Sequence, residues 1–158
     1  MALSVGRSAA SFGRVRQPRN LLPAAGIYHV TTRGVARTAI FLTDDERRLF
    51  LRLFAAEVRR HDWRCHAFCL MTTHFHLVVE TELWRLSEGM NRLNGTYALT
   101  FNRRHHRSGH LFGDRFAAWL PRDEQHLHQT CEYVLQNPVR AGLCARAGDW
   151  PWSGARAT

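Results

Sequence analysis

The sequence predicts an α+β fold with an antiparallel sheet at its centre, and three observations support this prediction. Two apolar and β-branched runs, residues 63–70 and 74–80, are separated only by Met71, Thr72 and Thr73, which is the pattern of a β-hairpin. Stretches with apolar residues at helical spacing lie on both sides of this hairpin. The chain has 158 residues, the usual size of a single domain. We therefore expect one sheet with helices packed on it.

The first elements follow from local signals. Residues 27–33 are β-branched and aromatic and stop at Gly34, which predicts a first strand. Thr43 then begins a helix, because Glu46 stands three residues later and completes a capping box. The apolar residues of this helix recur on one face up to about Arg60. The hairpin described above follows it.

Two further helices and one strand complete the prediction. Ser87 suits the N-cap position of a second helix. Residues 116–120 predict a fourth strand. The last helix begins at Asp123 and is expected to end near Asn137, because a proline at position 138 disfavours helical geometry in the residue before it.

The predicted third strand carries histidines at alternate positions. Side chains along a strand point to opposite faces in turn, so His74 and His76 emerge side by side while Phe75, Leu77 and Val79 point into a core. Two neighbouring imidazoles are the beginning of a metal site. A bare His-x-His pair is more often part of a solvated strand face, so other residues must decide.

The last predicted helix supplies those residues. Tyr133 and Asn137 share one of its faces, because they are four positions apart. A helical tyrosine usually serves packing, and an asparagine before proline usually ends a helix. Together with paired histidines, however, a phenol and an amide are what an enzyme needs to cut a phosphodiester with a tyrosine. A tyrosine has an ordinary pKa of about 10, so the phenol needs a cation that polarises the phosphate. Two imidazoles and one amide oxygen would leave coordination positions open for that phosphate.

The charge of the chain predicts a polyanionic partner. The net charge is +9, and all 22 basic residues are arginines. A GC-rich genome accounts for the absence of lysine but not for the excess of arginine over acidic residues. The guanidinium group of arginine binds phosphates through two hydrogen bonds and stacks on bases. At each position, an ordinary solvent-exposed arginine without a DNA contact is an equally good interpretation. The candidate phosphate contacts are Arg33, Arg37, Arg103, Arg104, Arg107 and Arg115.

Composition limits the remaining classes. Residues 1–22 contain four arginines and no acidic residue, so we expect a flexible basic arm before a single domain at residues 23–158. No run approaches the roughly 18 apolar residues of a membrane span, and no secretory signal is present, which predicts a cytoplasmic protein. Because a polyanionic partner is expected, we also expect the protein to be associated with the nucleoid. The four cysteines form no C-x-x-C pair and suit reduced core thiols. No glycine-rich phosphate cradle is present, so no nucleotide cofactor is expected.

Five stretches, taken together, resemble a known family. In order and spacing they are similar to the single-tyrosine transposases with a His-hydrophobe-His motif, of the insertion-sequence-200-like family, and within them to the REP-associated tyrosine transposases of bacteria. The resemblance covers nearly everything from residue 26 onward. Its motifs are YHVTTRG (28–34), CLMTTHFHL (69–77), GHLFGDRF (109–116), YVLQNPVRAGL (133–143) and WPWS (150–153).

The resemblance implies roles for individual residues. It implies that His74 and His76 bind a divalent cation, that Tyr133 is the nucleophile and that Asn137 is the polar third ligand. It also implies a ferredoxin-like antiparallel sheet of four to five strands. Two departures stand beside it: Thr72 and Thr73 occupy positions where the family commonly has Pro-Asn, and residues 1–16 have no counterpart.

The resemblance further implies a substrate and a cofactor. The expected reaction is cleavage and joining of single-stranded DNA at hairpin-forming palindromic repeats through a covalent 5′-phosphotyrosine, by a monomer or a homodimer. Two imidazoles suit manganese or zinc better than magnesium, and family behaviour implies Mg²⁺ or Mn²⁺.

Two other functions remain open from the sequence. A catalytically silent nucleic-acid-binding module could use the same sheet and arginines. A zinc-dependent hydrolase could combine His74 and His76 with a carboxylate such as Glu80, although the chain has no His-Glu-x-x-His helix.

Overall fold

The computed structural model describes residues 21–155, so all but the last two residues of the predicted basic arm lie outside the described residues. This part of the chain contains five strands and three α-helices. They are β1 (Ala25–Arg33), α1 (Asp44–Arg60), β2 (Arg64–Leu70), β3 (His74–Glu82), α2 (Leu83–Arg104), β4 (Ala117–Trp119), α3 (Glu124–Arg140) and β5 (Ser153–Ala155).

The strands form one antiparallel sheet in the order β4-β1-β3-β2-β5. β1 and β3 pair over their whole length, from Ala25 opposite Glu82 to Arg33 opposite His74. β2 and β3 form the predicted hairpin, and the three-residue strands β4 and β5 lie at the two edges. The first four strands and two helices follow the β-α-β-β-α-β order of a ferredoxin-like fold. The predicted α+β class is therefore confirmed.

Helices α1 and α2 cover one face of the sheet. The ring of Phe50 lies 4.6 Å from that of Phe75 and 5.3 Å from that of Tyr97, and all three residues are fully buried. Complete burial of such a side chain contributes about 1.5–3 kcal/mol. Phe75, Leu77 and Val79 belong to this core, as the alternation of β3 predicts.

Helix α3 covers the opposite face. Val134 packs there in a smaller cluster with Ala67, Cys69 and Val78. Val78 is two residues from His76, so the face beneath α3 is also the face that carries the paired histidines. The sheet thus separates the main core from the candidate site.

The predicted start of α1 is confirmed in detail. The Thr43 hydroxyl accepts from the Glu46 backbone N–H, and the Glu46 carboxylate accepts from the Thr43 N–H at 3.1 Å. The helix ends at Arg60, as expected.

The predicted start of α2 is wrong. The helix begins at Leu83, and Ser87 lies inside it. β3 runs directly into the helix, and no side chain caps it; instead the Leu83 N–H donates to the carbonyl of Ala24, the residue before β1, at 2.8 Å. A backbone carbonyl from the segment that precedes β1 replaces the cap that the sequence suggested.

The predicted end of α3 is also wrong, since the helix continues through Pro138 to Arg140. Proline has no N–H, so the carbonyl four residues earlier, that of Val134, loses its helical donor. The Asn137 side-chain amide compensates by donating to the carbonyls of Tyr133 at 2.9 Å and Val134 at 3.4 Å. The helix therefore tolerates its proline.

A glycine ends α3. Gly142 has a φ of +71°, the Gly142 N–H donates to Val139 and the Leu143 N–H donates to Pro138. These two bonds form a Schellman motif, which satisfies the last carbonyls of the helix. No helix within residues 21–155 has the length and apolar character to cross a membrane.

Candidate active site

β1 and β3 bring three histidines together on the face beneath α3. His29 stands opposite Val78 in the β1–β3 register, so it is a diagonal neighbour of His76 on the same face. His29 Nε2 and His76 Nδ1 are 3.0 Å apart. The ring centroids of His74 and His76 are 5.0 Å apart. The structure thus brings together the predicted pair and adds a histidine to which the sequence analysis gave no role.

The Nδ1 atoms of both predicted cation ligands have a neighbour at hydrogen-bond distance. His76 Nδ1 meets His29, and His74 Nδ1 lies 3.1 Å from the Thr73 hydroxyl. Metal-binding histidines usually hold their second ring nitrogen in such a contact, which orients the ring. Nε2 of each ring is then the atom that would bind a cation. The donor set fits a divalent metal.

A third protein ligand would have to be of another residue type. Within residues 21–155, no group of three or more His, Cys, Asp and Glu side chains is arranged to hold a metal ion. An amide oxygen such as Oδ1 of Asn137 meets this requirement chemically. The hydrogen bonds of this side chain in the described part of the chain are donated by Nδ2 to its own helix. Oδ1 is therefore its atom with ligand character.

Helix α3 brings Tyr133 to the histidines of the same chain. The Tyr133 ring centroid lies 6.1 Å from that of His76 and 6.3 Å from that of His29, with the rings edge-on. Buried Val134, next along the helix, fixes α3 against the sheet. The Arg140 guanidinium lies 4.9 Å from the centre of the Tyr133 ring, two turns along α3.

The other tyrosines of the chain are structural. Tyr28 and Tyr97 are fully buried, and their hydroxyls donate to the backbone carbonyls of Pro23 and Ile40. Burial raises the pKa of both phenols above the ordinary value, which makes them poorer nucleophiles at neutral pH. Tyr133 alone of the three is only half-buried.

The two cysteines of β2 are inert thiols. Burial raises the pKa of Cys65 to about 11 and that of Cys69 to about 12, and all four cysteines are free. A thiolate is the form that binds metals or attacks electrophiles, so Cys65 and Cys69 are neutral packing residues at physiological pH.

The candidate phosphate-binding arginines divide into two sets. Arg33 ends β1 opposite His74, and the chain after α2 returns to this end, because the Gly113 N–H donates to the Arg33 carbonyl at 3.1 Å and the Val35 N–H donates to the Leu111 carbonyl at 2.9 Å. Exposed Arg115 follows directly. Arg33 therefore borders the histidines, and Arg115 lies two residues beyond the bond that joins Gly113 to Arg33.

The other candidates lie around the end of α2 and in the turn after β1. Arg103 and Arg104 occupy the last turn of α2, where a cation also favours the helix dipole. Arg107 is half-buried, with its guanidinium 5.7 Å from the centre of the Phe101 ring. Arg37 is exposed and has a φ of +58°.

A glycine makes the close approach at this end possible. A Cβ atom on Gly34 would lie 2.2 Å from the backbone oxygen of Thr38 and 2.9 Å from the Ile40 side chain. The Gly34 N–H also donates to the Thr73 carbonyl at 2.9 Å, directly before His74. Any larger residue would displace the turn that joins Arg33 to the histidine strand.

Comparisons with known proteins agree with this architecture. The family model described as "Transposase IS200 like" matches residues 24–137, a range that includes the three histidines, Tyr133 and Asn137. A Haemophilus influenzae protein named "Putative REP-associated tyrosine transposase" is 25% identical over 139 residues, covering 81% of this chain and 78% of that protein.

Two solved structures share the fold. One is described as a REP-associated tyrosine transposase bound to a REP hairpin; its TM-score is 0.70 at 17% identity, over 88% of this chain and 82% of that one. The other is a Deinococcus radiodurans protein provisionally described as a transposase, with a TM-score of 0.50 at 15% identity, over 76% of this chain and 95% of that one.

Proposed function

The chain belongs to the IS200-like transposase family, and we propose on this basis that it cleaves and rejoins single-stranded DNA at hairpin-forming palindromic repeats. The proposed intermediate is a covalent 5′-phosphotyrosine on Tyr133. The observation that carries this proposal is the distance of 6.1 Å between the Tyr133 and His76 rings within one chain. The hairpin bound by the solved relative supports the choice of substrate.

The proposed chemistry conserves phosphoester bonds. Tyr133 Oη attacks phosphorus, a tyrosine–phosphate bond forms and the bond to the 3′ oxygen breaks. The phenol proton passes to solvent, and the departing 3′ oxygen takes up a proton to become a hydroxyl. A second 3′ hydroxyl later attacks the same phosphorus and releases the tyrosine. Because each step exchanges one ester for another, the reaction needs no nucleotide cofactor.

The histidines and the helix amide would hold a divalent cation at the reaction centre. His74 and His76 would bind it through Nε2 and Asn137 through Oδ1. When bound, such a cation withdraws charge from the scissile phosphate and so assists a weak nucleophile. Mg²⁺ and Mn²⁺ are the proposed metals, and the imidazole ligands favour manganese.

Arginines would hold the strand around the scissile phosphate. Arg33 and Arg115 lie at the end of the sheet where β3 begins, so they can contact the DNA backbone on either side of it. The overall charge of +9 would attract the polyanion from a distance.

The zinc hydrolase suggested by the sequence receives no support from Glu80. Its carboxylate lies 3.0 Å from His66 and 3.4 Å from Arg64. It is four residues from His76 along a strand, a distance of about 13 Å. A binding module without catalysis therefore remains the second candidate, because it needs only the sheet and the arginines.

One assay separates these functions. Single-stranded hairpin DNA carrying a 5′ flank is incubated with the protein and Mn²⁺, and a protein–DNA adduct that survives denaturation is measured. We expect an adduct that disappears in Tyr133→Phe. Tyr28→Phe is the matched control, since it removes a phenol from the opposite face of the sheet, and it should retain the adduct.

Each alternative gives a different result in the same assay. A pure binding module would bind the hairpin and yield no adduct. A hydrolase would cut the strand without becoming attached to it and would tolerate Tyr133→Phe. Either outcome would overturn the proposed mechanism.

A further inference from the structure

We propose that His29 is a positioning residue that holds His76 in the tautomer required for binding a cation. This inference rests on the proposed function, because it assumes that His76 is a ligand. The observation behind it is the 3.0 Å distance between His29 Nε2 and His76 Nδ1. His29 is 5% exposed and His76 is 2% exposed, so the contact lies inside the protein.

The direction of this hydrogen bond decides the state of His76. A neutral imidazole carries a proton on one nitrogen and a lone pair on the other. If His29 donated, the proton of His76 would sit on Nε2 and that atom could not bind a cation. If His76 Nδ1 donates to His29 Nε2, the lone pair of His76 lies on Nε2. Only the second direction is compatible with His76 as a ligand through Nε2.

Packing fixes the acceptor. His29 is paired with Trp119 of β4 on one side, and their rings are 5.4 Å apart. On the other side it is paired with Val78 of β3. On the side of α3, the centroid of the Tyr133 ring lies 6.3 Å from that of the His29 ring. These neighbours restrict the orientation of the His29 ring, so that its Nε2 atom faces His76. A positioning residue requires such a fixed orientation.

His74 has a different kind of neighbour. The Thr73 hydroxyl can donate or accept, because its hydrogen rotates, so it accommodates either tautomer of His74. The two ligands therefore differ: His76 is set by a rigid ring and His74 by an adaptable hydroxyl. Loss of His29 should consequently impair the His76 side of the site.

The first test measures the tautomer without metal or DNA. Ring-nitrogen NMR of the full chain, at a pH where His76 is neutral, distinguishes a nitrogen with a proton from one without. We expect His76 to carry its proton on Nδ1 in the wild type and in His29→Gln, whose amide oxygen can accept at the same place. His29→Phe keeps the ring volume but removes the acceptor, and there the Nδ1 preference should be lost. A wild-type His76 protonated on Nε2 would overturn the proposal.

The second test measures Mn²⁺ affinity by calorimetry. Loss of an outer partner of a metal-binding histidine lowers affinity by about 10- to 100-fold. We expect this loss in His29→Phe and near-wild-type affinity in His29→Gln. His66→Phe is the control, because this histidine of β2 contacts Glu80 instead. Equal affinity in wild type and His29→Phe would overturn the proposal.

These readouts are independent of the proposed catalysis. Thermal melting of each variant shows whether His29→Phe folds. If His29→Phe does not fold, the NMR results on the wild type and His29→Gln still report the tautomer of His76. If the adduct survived Tyr133→Phe, the proposed function would fail while the tautomer and affinity measurements still reported on His29.

Discussion

At the scale of single residues, the candidate site depends on which side chains share one face of the sheet. His74 and His76 could be placed there from the sequence, because strand alternation is sufficient to do so. The contact between His29 and His76 could not be predicted, because it depends on the β1–β3 register, which brings together residues 47 positions apart. The available signal was a histidine at the centre of a strongly predicted strand.

His76→Ala should separate binding from cleavage. The variant loses a proposed cation ligand, so we expect no adduct, whereas affinity for single-stranded hairpin DNA should stay close to that of the wild type, since arginine–phosphate contacts set it. Adduct yield and binding isotherms are the measurements. His66→Ala serves as the control, and normal cleavage by His76→Ala would contradict the metal assignment.

Arg140 offers a smaller test of the tyrosine. Its guanidinium lies over the Tyr133 ring at 4.9 Å, and an exposed cation–π contact contributes about 0.5–1 kcal/mol. Negative charge develops on the phenol oxygen during attack and a nearby cation stabilises it, so we expect Arg140→Leu to slow adduct formation by roughly two- to fivefold. The rate under single-turnover conditions is the measurement. Arg146→Leu is the control, since Arg146 pairs with Asp149, and an equal effect there would point to general charge loss.

At the scale of elements, local sequence signals succeed where a side chain caps a helix, and they fail where another part of the fold or a side chain within the helix provides the partner. The capping box at Thr43 is local and was predicted correctly. The start of α2 depends on the carbonyl of Ala24 just before β1, and the continuation of α3 depends on the amide of its own Asn137. Neither contact can be read from propensities.

Asn137 therefore has two separable roles, one in the helix and one proposed at the cation. Asn137→Ala should lower the free energy of unfolding by about 1–2 kcal/mol, because a buried carbonyl loses its donor. Adding Pro138→Ala restores a backbone N–H for Val134 and should recover that stability. Cleavage should stay absent in both variants. Urea unfolding and adduct yield are the measurements. If the variant with both Asn137→Ala and Pro138→Ala formed the adduct, the Asn137 amide would act only through the stability of the helix.

At the scale of the whole molecule, one face of the sheet carries the main hydrophobic core and the other face carries the candidate site. The aromatic core between the sheet and helices α1 and α2 was predicted from periodicity alone. The opposite face has a small apolar cluster and carries the histidines. The sequence could identify both sets of residues, but only the fold shows that a single helix closes the second face.

The charged end of the sheet predicts how DNA binding responds to salt. For single strands, the logarithm of affinity falls with the logarithm of salt by about 0.7 per phosphate contact. Replacing both Arg33 and Arg115 with glutamine should therefore reduce the slope by about 1.4. Affinity measured from low to high NaCl gives the slope. Arg59→Gln, at the end of α1, is the control, and an unchanged slope in the double variant would exclude these arginines as contacts.

The position of α3 over the sheet of its own chain has a consequence for how copies cooperate. If the attacking phenol of Tyr133 and the paired imidazoles come from one polypeptide, a protein that lacks the phenol and a protein that lacks an imidazole cannot restore activity to each other. A mixture of Tyr133→Phe with His76→Ala should stay as inert as either alone, and turnover by the wild type should rise in simple proportion to its concentration. Restored activity in the mixture would mean that the helix is exchanged between neighbours.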